Sequence, residues 1–180
     1  MARRTNPDMV DSIVAQWGAA RPDLDVSAIE VFGRLHRSFL RYQAHLSALF
    51  AEFGINMAAF DVLTALRRSG PPYRRSAGEL ADTALVTLAG LSLRIDRLET
   101  AGLVARERDE HDRRIVHCVL TERGMKLVDE VASAHFENES RMLAGLSTTE
   151  RKQLAGLLAK LEISLADASI SGQPHKDSAS

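Results

Sequence analysis

Between Ser76 and Leu120 the hydrophobic pattern changes period once, and that change limits what the chain can become. Ser76-x-x-Glu79 reads as a capping box opening a short helix through Leu80 and Ala84. A tight connection at Leu85-Val86-Thr87 leads into a second helix, with Leu88, Leu91, Ile95 and Leu98 on one face. Ala101-Gly102 closes it. The spacing then drops towards two. Leu103–Arg108 and Ile115–Leu120 read as strands joined by the polar run Asp109-Glu-His-Asp-Arg113. Two short helices followed at once by a β-hairpin leave few folds open.

The flanks are helical. Asn6-Pro7 reads as a cap and first-turn proline, with Val10, Ile13, Val14 and Trp17 at i, i+3, i+4 and i+7. Ser27-x-x-Glu30 reads as another capping box. The helix after it carries two interleaved rows, Phe32, Phe39, Leu46, Phe53 and Leu35, Tyr42, Leu49. Spacings that alternate three and four over three heptads call for a second helix, from this chain or from another copy. Asn56 caps a further helix containing Phe60, Leu63 and Leu66, which stops at Ser69-Gly-Pro-Pro72. Thr121 and the Ser147-x-x-Glu150 box open two C-terminal helices, with Leu127, Val128 and Val131 in the first and Leu154, Leu157, Leu158, Leu161 and Leu165 in the second. The expected fold is mainly α with a small β-hairpin wing: a winged helix-turn-helix at 56–120, an extra N-terminal helix at 7–20, and long dimerisation helices at 27–54 and 121–168. Together these make a single domain over 1–168, and the Ser/Gly/Pro-containing 169–180 is expected to be a disordered tail.

Bulk composition excludes more than it assigns. The net charge of −1 does not mark a nucleic-acid binder, although residues 67–114 hold ten arginines against eight acids. No stretch reaches the roughly 18 apolar residues of a membrane span. No apolar run follows the basic start Met1-Ala-Arg-Arg-Thr, so no secretory signal is read. The single Cys118 leaves no internal disulfide and fits a reducing compartment, so a cytoplasmic location without membrane contact is expected. No nucleophile–base arrangement or phosphate-cradling loop stands out, and His111 and His117 lack metal-ligand spacing. An enzyme, a metal site and a cofactor are therefore not expected. In the helix-helix-hairpin order the second helix is the reader, narrow enough for the major groove of duplex DNA. Thr87, Ser92 and Arg97 on it, and Arg113 and Arg114 at the hairpin tip, are the candidate DNA contacts.

Residues 30–165 resemble the MarR family of bacterial repressors. The Arg94-Ile-Asp-Arg-Leu-Glu-x-x-Gly-Leu-Val104 run is similar to the end of that family's recognition helix as it enters the wing. Asp109-x-x-Asp-Arg-Arg114 and Leu120-Thr-x-x-Gly124 are similar to its wing and the start of the helix beyond. The N-terminal helix with Trp17, Arg21-Pro-Asp-Leu-Asp25, Phe60-Asp-Val-Leu63 and Arg67-Arg-Ser-Gly-Pro-Pro72 resemble the urate-responsive branch, which includes the PecS regulators. The resemblance implies a homodimer on a pseudo-palindromic operator, with urate or a related purine or phenolic anion as effector, and Trp17, Asp61, Arg94 and Arg106 as its ligand set. The chemistry suits a flat anion: arginine forks for its anionic or carbonyl edge, a carboxylate for ring N–H groups, an indole for one face. On structural grounds alone, Asp61 could instead pair with Arg94 or Arg106 and Trp17 could anchor the added helix. The sequence departs from the branch at Leu88 and Leu93, where small or polar residues are usual, and at Glu110-His111 in the wing. A helical interaction module without specific DNA reading, and a DNA-binding protein without a ligand, stay open as alternatives.

Overall fold

The computed structural model describes residues 6–83, 88–109 and 111–171. Its elements run α1 (Met9–Ala20), α2 (Ala28–Glu52), α3 (Met57–Arg68), β1 (Arg74–Ser76), α4 (Ala77–Thr83), α5 (Leu88–Thr100), β2 (Val104–Arg108), β3 (Val116–Leu120), α6 (Glu122–Met142) and α7 (Thr148–Ser171). The expected mainly helical winged helix-turn-helix is present. The described residues up to Ala134 form one compact unit and those from His135 a second, the boundary falling inside α6.

In the first unit the core gathers under the reader helix. Val62, Leu63 and Leu66 of α3, Leu80 of α4 and Leu91, Ile95 and Leu98 of α5 are buried. They pack with Leu103 just before β2, with Val104 and Cys118 of the sheet, and with Val128 of α6. Phe50 of α2 is fully buried and stacks on Phe60, ring centroids 4.8 Å apart. The sheet has the order β1-β3-β2, both pairs antiparallel, with Arg106 opposite Cys118 and Ser76 opposite His117. β1 is an addition to the expected hairpin. Three residues are too short for period-two alternation to declare itself, and Arg74-Arg75-Ser76 has no apolar side chain to alternate.

The caps divide. Asn56 accepts from Ala59 N at 2.9 Å, Thr121 Oγ1 from Gly124 N at 3.0 Å, and the Ser76–Glu79 box closes from both sides. Two expectations are corrected. The cap of α1 is Asp8, not Asn6: Asp8 accepts from Val10 N and Asp11 N, and Asp11 answers to the Asp8 N–H. A charged acceptor with its reciprocal partner displaces the earlier start, and Arg34 of α2 pairs with both carboxylates. Ser27 makes no side-chain cap to α2; its backbone N–H instead donates to Asp25.

The junction behind the wing is tight. Gly102 closes α5 with φ +67°, a left-handed conformation natural to glycine. Leu103 N then donates back to Leu98 O. The Leu103 carbonyl accepts from Thr121 N and Thr121 Oγ1 and lies against Gly124, where a Cβ would meet it at 1.9 Å.

In the second unit, the Ser147–Glu150 box caps α7, and Arg151 donates to the Leu143 and Leu146 carbonyls. Leu154, Leu157, Leu158 and Leu165 are exposed. α7 extends to Ser171, past the expected boundary at 168. No single helix among the described residues is long and apolar enough to cross a membrane.

Candidate nucleic-acid interface and effector cavity

Helical geometry sorts the side chains of α5 into separate faces. Leu91, Ile95 and Leu98 hold it to the core. On one flank Arg94 and Arg97 line a cavity of about 530 Å³, whose other walls include Gly54, Asn56, Ala58 and Leu103. On the other flank Ser92 lines a smaller cleft of about 150 Å³ with Arg106, Val116 and Cys118. The spacing explains the split. Residues three or four apart share a helix face, so Arg94, Arg97 and Leu98 fall together, as do Ser92, Asp96 and Glu99.

Arg94 Nη1 is buried and has no hydrogen-bond partner among the described residues. Its side chain runs back along the helix: a Cβ at Gly90 would lie 3.5 Å from Arg94 Cζ. A buried guanidinium N–H without an acceptor is costly. The cavity beside it also receives the first turn of α3, whose N-terminal dipole carries partial positive charge.

Arg106 is engaged elsewhere. From β2 it donates to Asp96 and Glu99 of α5, so it ties the wing to the reader helix. The hydrogen bond to Asp96, followed by that to Glu99, raises the guanidinium pKa above its ordinary value. Of the pairings left open for Arg106, the structure selects these two acids in place of Asp61. Asp61 is half-buried on α3, and its carbonyl accepts from Thr64 Oγ1. Trp17 is 46% exposed near the end of α1. Neither lines the two cavities flanking α5. Within one chain, then, Arg94 and Arg106 stand on opposite flanks of one helix.

Of the candidate DNA contacts, Thr87 lies outside the described residues. Ser92 and Arg97 are exposed. At the wing tip Asp109 accepts from His111 N and Asp112 N and pairs with His117 Nε2 at 2.9 Å. The His117 contact, with the two backbone N–H groups, holds the Asp109 carboxyl well below the usual carboxylate range. Arg114 folds onto Asp112, whereas the exposed Arg113 makes no hydrogen bond or ion pair among the described residues. Arg113 is therefore the freer cation of the two. Burial pushes the Cys118 thiol up to about 12, consistent with a core residue. No group of three or more His, Cys, Asp or Glu among the described residues could hold a metal ion.

A model of the MarR family matches residues 53–115, the span from the mouth of the cavity to the wing tip. The HTH-type transcriptional regulator PecS of Dickeya dadantii is 38% identical over 153 residues, which cover 85% of this chain and 92% of PecS. The chain belongs to the MarR family. It is a DNA-binding transcriptional regulator, not an enzyme, with the helix-helix-hairpin of that family at its centre. Two solved structures agree. BpsR of Bordetella bronchiseptica, studied for the regulation of its DNA binding by 6-hydroxynicotinic acid, is 29% identical with a TM-score of 0.66, over 73% of this chain and 92% of BpsR. AbsC of Streptomyces coelicolor, a MarR family transcriptional regulator, is 27% identical with a TM-score of 0.69, over 80% and 98%.

Sequence reasoning missed three parts of this MarR site. Arg97, a candidate DNA contact by sequence, also lines the effector-sized cavity. Asp96 and Glu99 were not singled out, although their i, i+3 spacing on the flank of Ser92 was visible. The Gly54–Ala58 wall had no signal beyond the Asn56 cap.

Proposed function

We propose that this regulator is a repressor whose operator binding is weakened by a small planar anion such as urate, held beside α5. The observation that carries the reading is the buried Arg94 Nη1, without a hydrogen-bond partner among the described residues, at the wall of a cavity large enough for such a ligand. Arg94 and Arg97 offer forked donors to an anionic edge, and the first turn of α3 adds its dipole. Asp61, one turn along α3 from Ala58, is the proposed acceptor for ring N–H groups. Trp17 and Arg106, which the family resemblance adds to the set, do not line this cavity within one chain, so the reading rests on Arg94, Arg97 and Asp61. That BpsR responds to 6-hydroxynicotinic acid, another flat aromatic acid, supports the ligand class.

The coupling follows from where Arg94 sits. It belongs to the reader helix, while the opposite wall belongs to the α2–α3 junction. A ligand bridging the two changes the pose of α5, and it acts as an inducer because it binds the non-binding pose more tightly; equal affinity for both would shift nothing. Two copies are proposed to pair through the exposed Phe32, Leu35 and Phe39 of α2 and Leu154, Leu157 and Leu158 of α7. The pair offers two α5 helices to major grooves about 34 Å apart on a pseudo-palindromic operator.

The test is a gel-shift titration on the protein's own upstream DNA with urate, xanthine and 6-hydroxynicotinate. At least one is expected to lower operator affinity by about tenfold, in the usual range of allosteric coupling. Arg94→Ala is expected to keep DNA binding and lose the response. Affinity unchanged at saturating ligand would favour a ligand-independent regulator. Equal, weak binding to scrambled DNA would favour an interaction module.

A further inference from the structure

Among the described residues, the pole of α5 opposite the core carries one large apolar side chain in the open. Leu91, Ile95 and Leu98 are 1%, 4% and 4% exposed, and Leu93 is 55% exposed. At 3.6 residues per turn, Leu93 stands about 200° round the axis from Leu91. The cavity flank of Arg94 lies to one side of it and the wing flank of Ser92 and Glu99 to the other. Leu93 therefore heads the surface that a reader helix turns towards a groove.

We propose that Leu93 is a specificity-determining residue that reads thymine, packing its isobutyl group against the C5-methyl of one thymine in each half-site. The major-groove edges of the base pairs are mostly donors and acceptors, and that methyl is their one bulky apolar group. A leucine set against guanine N7 and O6 or cytosine N4 strips water from polar atoms and returns no hydrogen bond. Leu93 thus favours thymine by contact and disfavours a G·C pair by desolvation. A protein partner is the weaker occupant. Ser92, Asp96, Arg97 and Thr100 are all exposed around this pole, so among the described residues Leu93 is a lone apolar point in a polar field and not the centre of an interface-sized patch. The proposal rests on α5 being the reader helix, and it turns the departure at this position from a lost polar contact into a different kind of contact.

The experiment has two stages. Selection from a random duplex library with the full-length protein defines the preferred site. Each thymine of that site is then replaced singly by deoxyuridine, which removes only the methyl, and affinity is read by fluorescence anisotropy. At one position in each half-site, deoxyuridine is expected to weaken binding about fourfold, the worth of burying one methyl-sized group. Leu93→Ala is expected to bind the thymine and deoxyuridine duplexes equally, and Leu93→Met, which keeps an apolar tip, to restore part of the preference. An unchanged melting temperature shows that the variants remain folded. An enriched site at which thymine and deoxyuridine bind alike everywhere, or a Leu93→Ala variant that discriminates like the parent, overturns the proposal alone. A library with no enrichment overturns it together with the reader assignment.

Discussion

Arg106 on the wing strand β2 donates to Asp96 on the reader helix α5, ten residues earlier in the chain, and Glu99 one turn on takes its other fork. The wing and the helix are thereby held as one rigid body on the side away from the effector-sized cavity. Arg106→Ala is expected to lower operator affinity while moving stability by less than about 1 kcal/mol, because partly exposed ion pairs contribute little to folding. Anisotropy and thermal melting check the two halves. The double variant Arg106→Ala/Asp96→Ala should be no weaker on DNA than Arg106→Ala alone, since both remove the same tie.

Gly124 should tolerate no side chain. A Cβ there would fall 1.9 Å from the Leu103 carbonyl oxygen, a backbone atom already engaged by Thr121. Gly124→Ala is expected to cost about 3 kcal/mol or more, as overpacking against backbone does. The readout is the urea midpoint.

The wing turn depends on an ionised Asp109. Its carboxyl is depressed by His117 and by the N–H groups of Asp112 and His111. A depressed acid contributes its stabilisation in full above the unfolded value of about 3.9 and loses it as pH falls towards the folded value. The turn should therefore hold from neutrality down to about pH 4 and loosen below that. Amide exchange at His111 and Asp112 should quicken in Asp109→Ala at neutral pH, and stay slow in the parent.

Cys118 should be inert in the folded protein. It is 3% exposed, and burial pushes its thiol up to about 12. A disulfide-exchange reagent at pH 8 is expected to label it only after denaturant is added. Fast labelling of the native protein would show that the sheet opens readily.

Much of the fold could be read from side-chain periodicity because each helix has a face to bury. The Leu91, Ile95, Leu98 row and the Asn56 and Thr121 caps are local patterns, and they appear where the pattern puts them. What escaped is what depends on distant partners. β1 exists because β3 offers an edge to Arg74–Ser76, and nothing in those three side chains says so. The α1 cap moved to Asp8 because Asp11 and Arg34 reward a carboxylate there. The candidate site divided for the same reason. Arg94 and Arg106 are twelve positions apart and both read as ligand forks, yet strand register sends Arg106 to Asp96 and Glu99, while Arg94 is left facing a cavity.

The crowding of roles on α5 has a practical side for anyone wishing to retarget this regulator. Arg94 is committed to the cavity, Asp96 and Glu99 to the wing tie, and Leu91, Ile95 and Leu98 to the core. Swapping in a whole foreign reader helix would graft new base preference but also remove the side chains that line the cavity and tie the wing. Exchange confined to Ser92 and Leu93 is the narrower edit: it would alter which operators are found while sparing Arg94 and Arg97 at the cavity and Asp96 and Glu99 at the wing.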